Sequence, residues 1–215
     1  MDRRKALKNM GLALGYTVAT PTLISIVQSC KSETVLEWTP DFFSKDEGAA
    51  LTKLVDIILP KTDTPSASEV QVNLFIDRFA DQVMDKEQQD FVKMSMGNFL
   101  SKAQKDAGKE KIADLSTEDL EPVLASSLRV TKEDEAKYFK LINAYQKAVA
   151  NGEPATLDEG ISRFAFANNL RGLTIMGYKT SEYVGENLMA YLPIPGEYIG
   201  CTDLNELTEG KAWSL

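Results

Sequence analysis

No histidine occurs anywhere in the chain. That absence removes Ser-His-Asp and Cys-His catalysis, His-ligated zinc, His-ligated haem and the usual general base near neutral pH. Cysteine is almost as scarce. Only Cys30 and Cys201 are present, and neither lies in a Cys-x-x-Cys or Cys-x-x-Cys-His setting, which argues against an iron–sulfur cluster or covalent haem held by this chain. No Gly-x-Gly-x-x-Gly turn is present to seat a dinucleotide, and no Asp-x-Asp-x-Asp-Gly spacing to hold calcium. Sustained alternation of apolar and polar residues between turn signals is missing too, so no sheet is indicated.

Cations are outnumbered, with 24 Lys and Arg against 32 Asp and Glu and a formal net charge of -8. Residues 1–29 hold four cations and one anion, so the remainder is near -11. A body this acidic does not suit nucleic acid, whose binding depends on releasing counterions to a basic surface. Nor would it hold anionic headgroups by charge. What is present is ordinary globular composition: 215 residues, 43% apolar and 26% charged. That is enough for one domain with a sizeable core.

The first thirty residues have the logic of an export signal. A basic start, Arg3-Arg4-Lys5-Ala6-Leu7-Lys8, precedes a mildly apolar stretch reaching Val27. The Arg3-Arg4 pair followed by Leu-Lys resembles the twin-arginine motif, with Ala6 where Phe is usual. Val27-Gln28-Ser29-Cys30 resembles a lipid-attachment box, Gln28 being its unusual member. An uncleaved membrane span would need about 20 mainly apolar residues, and the glycines, threonines and Pro21 oppose it. The expectation is a removable signal over 1–29, a lipid on Cys30, and a protein exported to the periplasm and held at a membrane by that lipid.

Residues 30–43 read as a linker, with Trp38 and Phe42-Phe43 as docking points, and the helical text occupies 44–215. Ser44 and Glu47 form a capping box ahead of Leu51, Leu54, Val55 and Ile58, and Pro60 ends that helix. A polar loop follows. Ser66 with Glu69 then starts a second helix carrying Val72, Phe75, Phe79 and Val83. A third runs from Asp85 to about Asp106, with Phe91, Met94, Leu100 and Ala103 inward and Gly108 closing it. Further helices start near Thr117, Thr131 and Asp158, and one more near Ser181. The fold class is all-α, a single domain of six or seven helices with an irregular tail from residue 192. Phe164 and Phe166 are two apart, so one of them should be exposed.

Two stretches resemble one family. The first is Leu54-Val55-Asp56-Ile57-Ile58-Leu59-Pro60-Lys61-Thr62-Asp63-Thr64-Pro65-Ser66-Ala67, continuing to Phe75-Ile76-Asp77. The second is Gly177-Tyr178-Lys179-Thr180-Ser181-Glu182, then Tyr191-Leu192-Pro193-Ile194-Pro195-Gly196-Glu197-Tyr198-Ile199-Gly200-Cys201. Both are similar to signatures of the gluconate 2-dehydrogenase subunit 3 family, with Ser66 in place of the usual Gly; residues 85–155 are silent. The resemblance implies an accessory role. A large flavin dehydrogenase subunit holds FAD and oxidises a sugar or sugar acid, and a cytochrome c subunit with haem takes the electrons. The small subunit aids folding, export and membrane attachment, with no cofactor, metal or catalytic residue of its own. The alternative is a free-standing envelope lipoprotein with a binding or scaffold role.

The expected partner surface is the loop Thr62, Asp63, Thr64, Pro65 together with Tyr191, Pro193, Pro195, Gly196, Tyr198 and Cys201. The loop has a plainer reading as a turn whose side chains satisfy free backbone N–H groups. Cys201 has three readings: a disulfide to the large subunit, a buried thiol, or pairing with Cys30 if that residue carries no lipid. Glu118-Asp119 and Glu133-Asp134-Glu135 read as helix starts, where negative charge suits the helix dipole.

Overall fold

The computed structural model describes residues 38–191, 196 and 201–214. The export segment, Cys30, Pro193, Pro195 and Tyr198 lie outside the described residues. The chain divides into Met1–Trp38 and Thr39–Leu215, and every helix named here belongs to the second unit. In order these are α1 (Lys45–Ile58), α2 (Val72–Gln82), α3 (Lys86–Ala107), α4 (Thr117–Leu128), α5 (Lys132–Ala150), α6 (Glu159–Lys179) and α7 (Leu204–Thr208). A 3-10 turn at Ile112–Asp114 and a π turn at Val184–Leu188 punctuate them. Among the described residues there is no strand, only an isolated bridge between Ala190 and Trp213. The fold is all-α.

Local chemistry accounts for most boundaries. The Ser44 hydroxyl accepts from the Glu47 N–H, and Glu47 accepts from the Ser44 N–H at 2.8 Å. Asp85 and Gln88 repeat the arrangement at α3, and Thr131 and Asp158 cap α5 and α6. Each such cap is worth about 1 kcal/mol. Gly108 closes α3 at φ 65°, a left-handed conformation cheapest for glycine.

The second helix starts later than its capping signal. Ser66 and Glu69 do exchange backbone-to-side-chain hydrogen bonds. They close a turn, and α2 begins only at Val72, after Gln71 in a left-handed conformation. The turn is held from outside: Asp56 on α1 accepts from the Ser68 N–H at 2.8 Å and from its hydroxyl at 2.6 Å. A carboxylate twelve residues upstream overrides the local helix signal.

Helix α6 is the axis of the body and packs against α1, α2, α3, α4 and α5. This corrects the expectation for Phe164 and Phe166. Both are buried, because the first half of α6 has neighbours on most sides, while its second half keeps an exposed face. Phe166 meets Phe99 of α3 at 5.1 Å between ring centroids, while Phe164 meets Tyr138 and Phe139 of α5. Burying each ring stabilises by about 1.5–3 kcal/mol. Helix α3 keeps Leu100 and Ala103 of its predicted face inward and broadens that face. Val92, Ser95, Met96, Phe99, Leu100 and Ala103 face inward, and Phe91 and Met94 are half-buried. Val83 is exposed rather than core, and Ile175 near the end of α6 is exposed too.

Two further expectations change. The helix expected near Ser181 does form, but with π geometry at Val184–Leu188. The tail is not irregular throughout, since α7 forms within it between the Asp203 cap and left-handed Glu209.

Candidate functional site

Residues 60–66 link α1 to the turn before α2. The loop braces itself: the Thr62 N–H donates to the Thr64 carbonyl at 3.0 Å, and the Thr64 N–H points at the Thr62 hydroxyl. Its base is anchored by the Ala67 N–H donating to the Leu59 carbonyl. Lys61 reaches over the turn to Glu69. The Lys61 ammonium and the Ser66 N–H hold the Glu69 carboxyl below its ordinary value. Thr62 and Asp63 are exposed, and Thr64 and Pro65 half-buried. The turn reading is thus correct for Thr62. The carboxylates that satisfy backbone groups here are Asp56 and Glu69.

The end of α6 meets this loop. The Tyr178 hydroxyl donates to the Pro65 carbonyl at 2.9 Å, across 113 positions of sequence. One residue earlier, Gly177 lies so close to Phe75 of α2 that a Cβ there would sit 2.6 Å from the ring. Ser181 then turns the chain by donating to the Tyr178 carbonyl. The two signature stretches are therefore packed against each other.

Their joint surface holds two open hollows. One, of about 420 Å³, is lined by Pro65, Glu69, Val70 and Gln71 on one side and Ser181, Glu182 and Tyr183 on the other. The second, of about 350 Å³, lies across Ser181 and Glu182 and reaches Tyr191 and Ser214. Tyr183 and Tyr191 are large, exposed and apolar along most of their length. Gly196 and Cys201 are exposed and line neither hollow. Exposure of Cys201 removes the buried-thiol reading. Sequence reasoning missed Tyr183, and it had no signal for the Tyr178–Pro65 bond.

Asp77 of α2 is fully buried. Its carboxylate accepts from the N–H groups of Asp41, Phe42 and Phe43 at 2.7, 3.1 and 3.0 Å. Lys93 covers the same segment, 4.8 Å from the Phe42 ring centre and 2.7 Å from the Glu47 carboxylate. Burial alone would raise the Glu47 carboxyl, but hydrogen bonds from Lys93 and Ser44 outweigh it and hold it below its ordinary value. The expected docking role of Phe42 and Phe43 is met within the body itself.

Several polar groups of this region are occupied in turns, caps and clasps, while the buried Thr174 hydroxyl, one turn before Tyr178, has no hydrogen-bond partner among the described residues. Among the described residues no group of three or more Cys, Asp or Glu could hold a metal ion, and no helix is long and apolar enough to cross a membrane.

A family model described as gluconate 2-dehydrogenase subunit 3 matches residues 45–196, more than half of the chain. The chain belongs to the gluconate 2-dehydrogenase subunit 3 family. No curated protein and no solved structure matches it. The family is by description that of one subunit among several in a dehydrogenase. For a gluconate 2-dehydrogenase subunit 3 protein, the matched region contains both the Pro65 loop and the Tyr178–Tyr183 turn. Helix α7 and Trp213 lie beyond it.

Proposed function

We propose that this chain is a non-catalytic accessory subunit of an FAD-dependent sugar or sugar-acid dehydrogenase, and that it aids folding, export and membrane attachment of the flavin subunit. The observation that carries the reading is the packing of the two family signatures, Tyr178 on Pro65 and Gly177 on Phe75, behind an exposed surface bearing Tyr183 and Tyr191. Exposed aromatic side chains with an apolar body and a polar tip favour protein interfaces.

The Arg3-Arg4 signal fits this division of labour. The twin-arginine route carries folded proteins, so a flavin-loaded partner without a signal could travel with this chain. A lipid on Cys30 would then tie the complex to the membrane. The exposed Cys201 thiol fits a disulfide to the large subunit, and a cytochrome c subunit would accept the electrons.

Affinity purification of the full chain from its own envelope, followed by mass spectrometry, tests the reading. The expected result is a co-purifying flavin dehydrogenase subunit, an acylated Cys30 peptide, and no dye-linked dehydrogenase activity in the chain on its own. A chain that purifies without any oxidoreductase is instead a free-standing lipoprotein, and a yellow, active isolated chain is an enzyme. Either result overturns the proposal.

A further inference from the structure

The start of α3 and the end of α5 border an open hollow of about 520 Å³, the size that small organic ligands occupy. It shares no residue with the two hollows beside the Tyr178–Pro65 joint. Helix α5 leaves it accessible. Of the 19 residues in that helix only Ile142 is buried, and Val149 at the edge of the hollow is exposed.

The wall is aromatic and thioether. Phe91 of α3 meets Tyr145 of α5 at 5.9 Å between ring centroids, with 43° between the ring planes, so the two rings make one bent surface. Met94 and Val149 extend it. The Tyr145 hydroxyl has one partner among the described residues, the Met94 Sδ at 3.8 Å, and a thioether is a weak acceptor. The phenol keeps most of its hydrogen-bonding capacity for whatever enters.

The rim has a sign. Three carboxylates line it, those of Asp85, Glu87 and Asp90, against one ammonium, that of Lys147. The three are not equivalent. Asp85 is committed to capping α3 through the Gln88 N–H, and Asp90 pairs with Lys86. Glu87 makes no hydrogen bond or ion pair among the described residues. We infer that this hollow binds a small organic cation, an ammonium group carried on an apolar or aromatic body, with Glu87 as its counter-charge. The quadrupoles of the Phe91 and Tyr145 rings attract such a charge, and Met94 and Val149 take the apolar body. An organic anion would meet the carboxylates instead, and a bare inorganic cation would lose its hydration against an apolar wall.

The test titrates the full chain with benzyltrimethylammonium, and with phenylmethanesulfonate and benzyl alcohol as the anionic and neutral counterparts. Calorimetry should show saturable binding of the cation and about tenfold weaker binding of the other two. The amide signals that shift should be those of Phe91, Met94, Tyr145 and Val149. Glu87→Gln should weaken the cation about threefold, as for an exposed charge pair. Tyr145→Leu should weaken it about fivefold, and Tyr145→Phe, which keeps the ring, should restore most of that loss. Absence of saturable binding overturns the site, as does equal affinity for benzyl alcohol, or an affinity unchanged in both Glu87→Gln and Tyr145→Leu. The accessory-subunit reading stands or falls separately, because no dehydrogenase subunit enters this experiment.

Discussion

Tyr178 and Pro65 are joined by a 2.9 Å hydrogen bond from the tyrosine hydroxyl to the proline carbonyl, 113 positions apart in sequence. The bond ties the end of the central helix to the loop after the first. Proline has no N–H to give, so its carbonyl is the one backbone group at that position able to make such a tie. Tyr178→Phe keeps the ring and removes the bond. It should destabilise the body by about 1 kcal/mol and loosen the loop, so that the amide of Thr64 exchanges faster. Denaturant titration and hydrogen exchange measure both. An unchanged exchange rate at Thr64 would show that the bond does not hold the loop.

Gly177→Ala probes the same joint by steric means. The added Cβ would land 2.6 Å from the Phe75 ring, and overpacking of this kind costs about 1–3 kcal/mol. Adding Phe75→Leu should recover part of the loss, since the two residues touch and their effects are coupled. Simple additivity of the two substitutions in denaturation experiments would rule out the contact as the cause.

Asp77→Asn should release residues 41–43. The buried carboxylate accepts from three backbone N–H groups, and an amide in its place presents a donor to at least one of them. A loss of about 2–3 kcal/mol is expected, as for hydrogen bonds to a charged group. Exchange at Asp41, Phe42 and Phe43 should quicken far more than exchange in α6. Uniform quickening across the body would assign Asp77 a global role instead.

Acid should undo the start of α4 in a defined range. The Asp119 carboxyl is lowered to about 2 by the Lys109 ammonium and by the N–H and hydroxyl of Ser116. A depressed carboxylate stabilises the folded state above its unfolded value, and that contribution disappears as pH falls through the folded value. The range runs from about 3.8 down to about 2. Asp119→Asn should lower stability near neutrality, where the wild-type carboxylate is ionised, and flatten the acid limb of the stability curve below about 3.8. A variant with the same acid limb as the wild type would refute the assignment.

Much of the fold is legible because its signals are local. Ser44 with Glu47, Asp85 with Gln88 and Thr131 with Asp134 act within one helical turn, so their spacing alone places the helix starts. Ser66 with Glu69 has the same spacing, yet it closes only a turn because Asp56 holds Ser68 from another helix. The candidate site divides the same way. The loop at 62–65 could be located from its residues, whereas its contact with Tyr178 and its closeness to Tyr183 could not.

The all-helical class, the acidic body and the absence of any histidine base were determined by the amino-acid sequence alone, because composition and short-range capping do not depend on what a helix packs against. Tertiary structure decided which side chains each helix buries and which distant residues meet. Phe164 and Phe166 are both interior because the first half of α6 is surrounded, and Leu204 and Leu207 are both exterior while Thr208 of the same helix is buried. A residue's periodicity defines the faces of its helix. How many of those faces are covered depends on the neighbours, and the neighbours come from elsewhere in the chain.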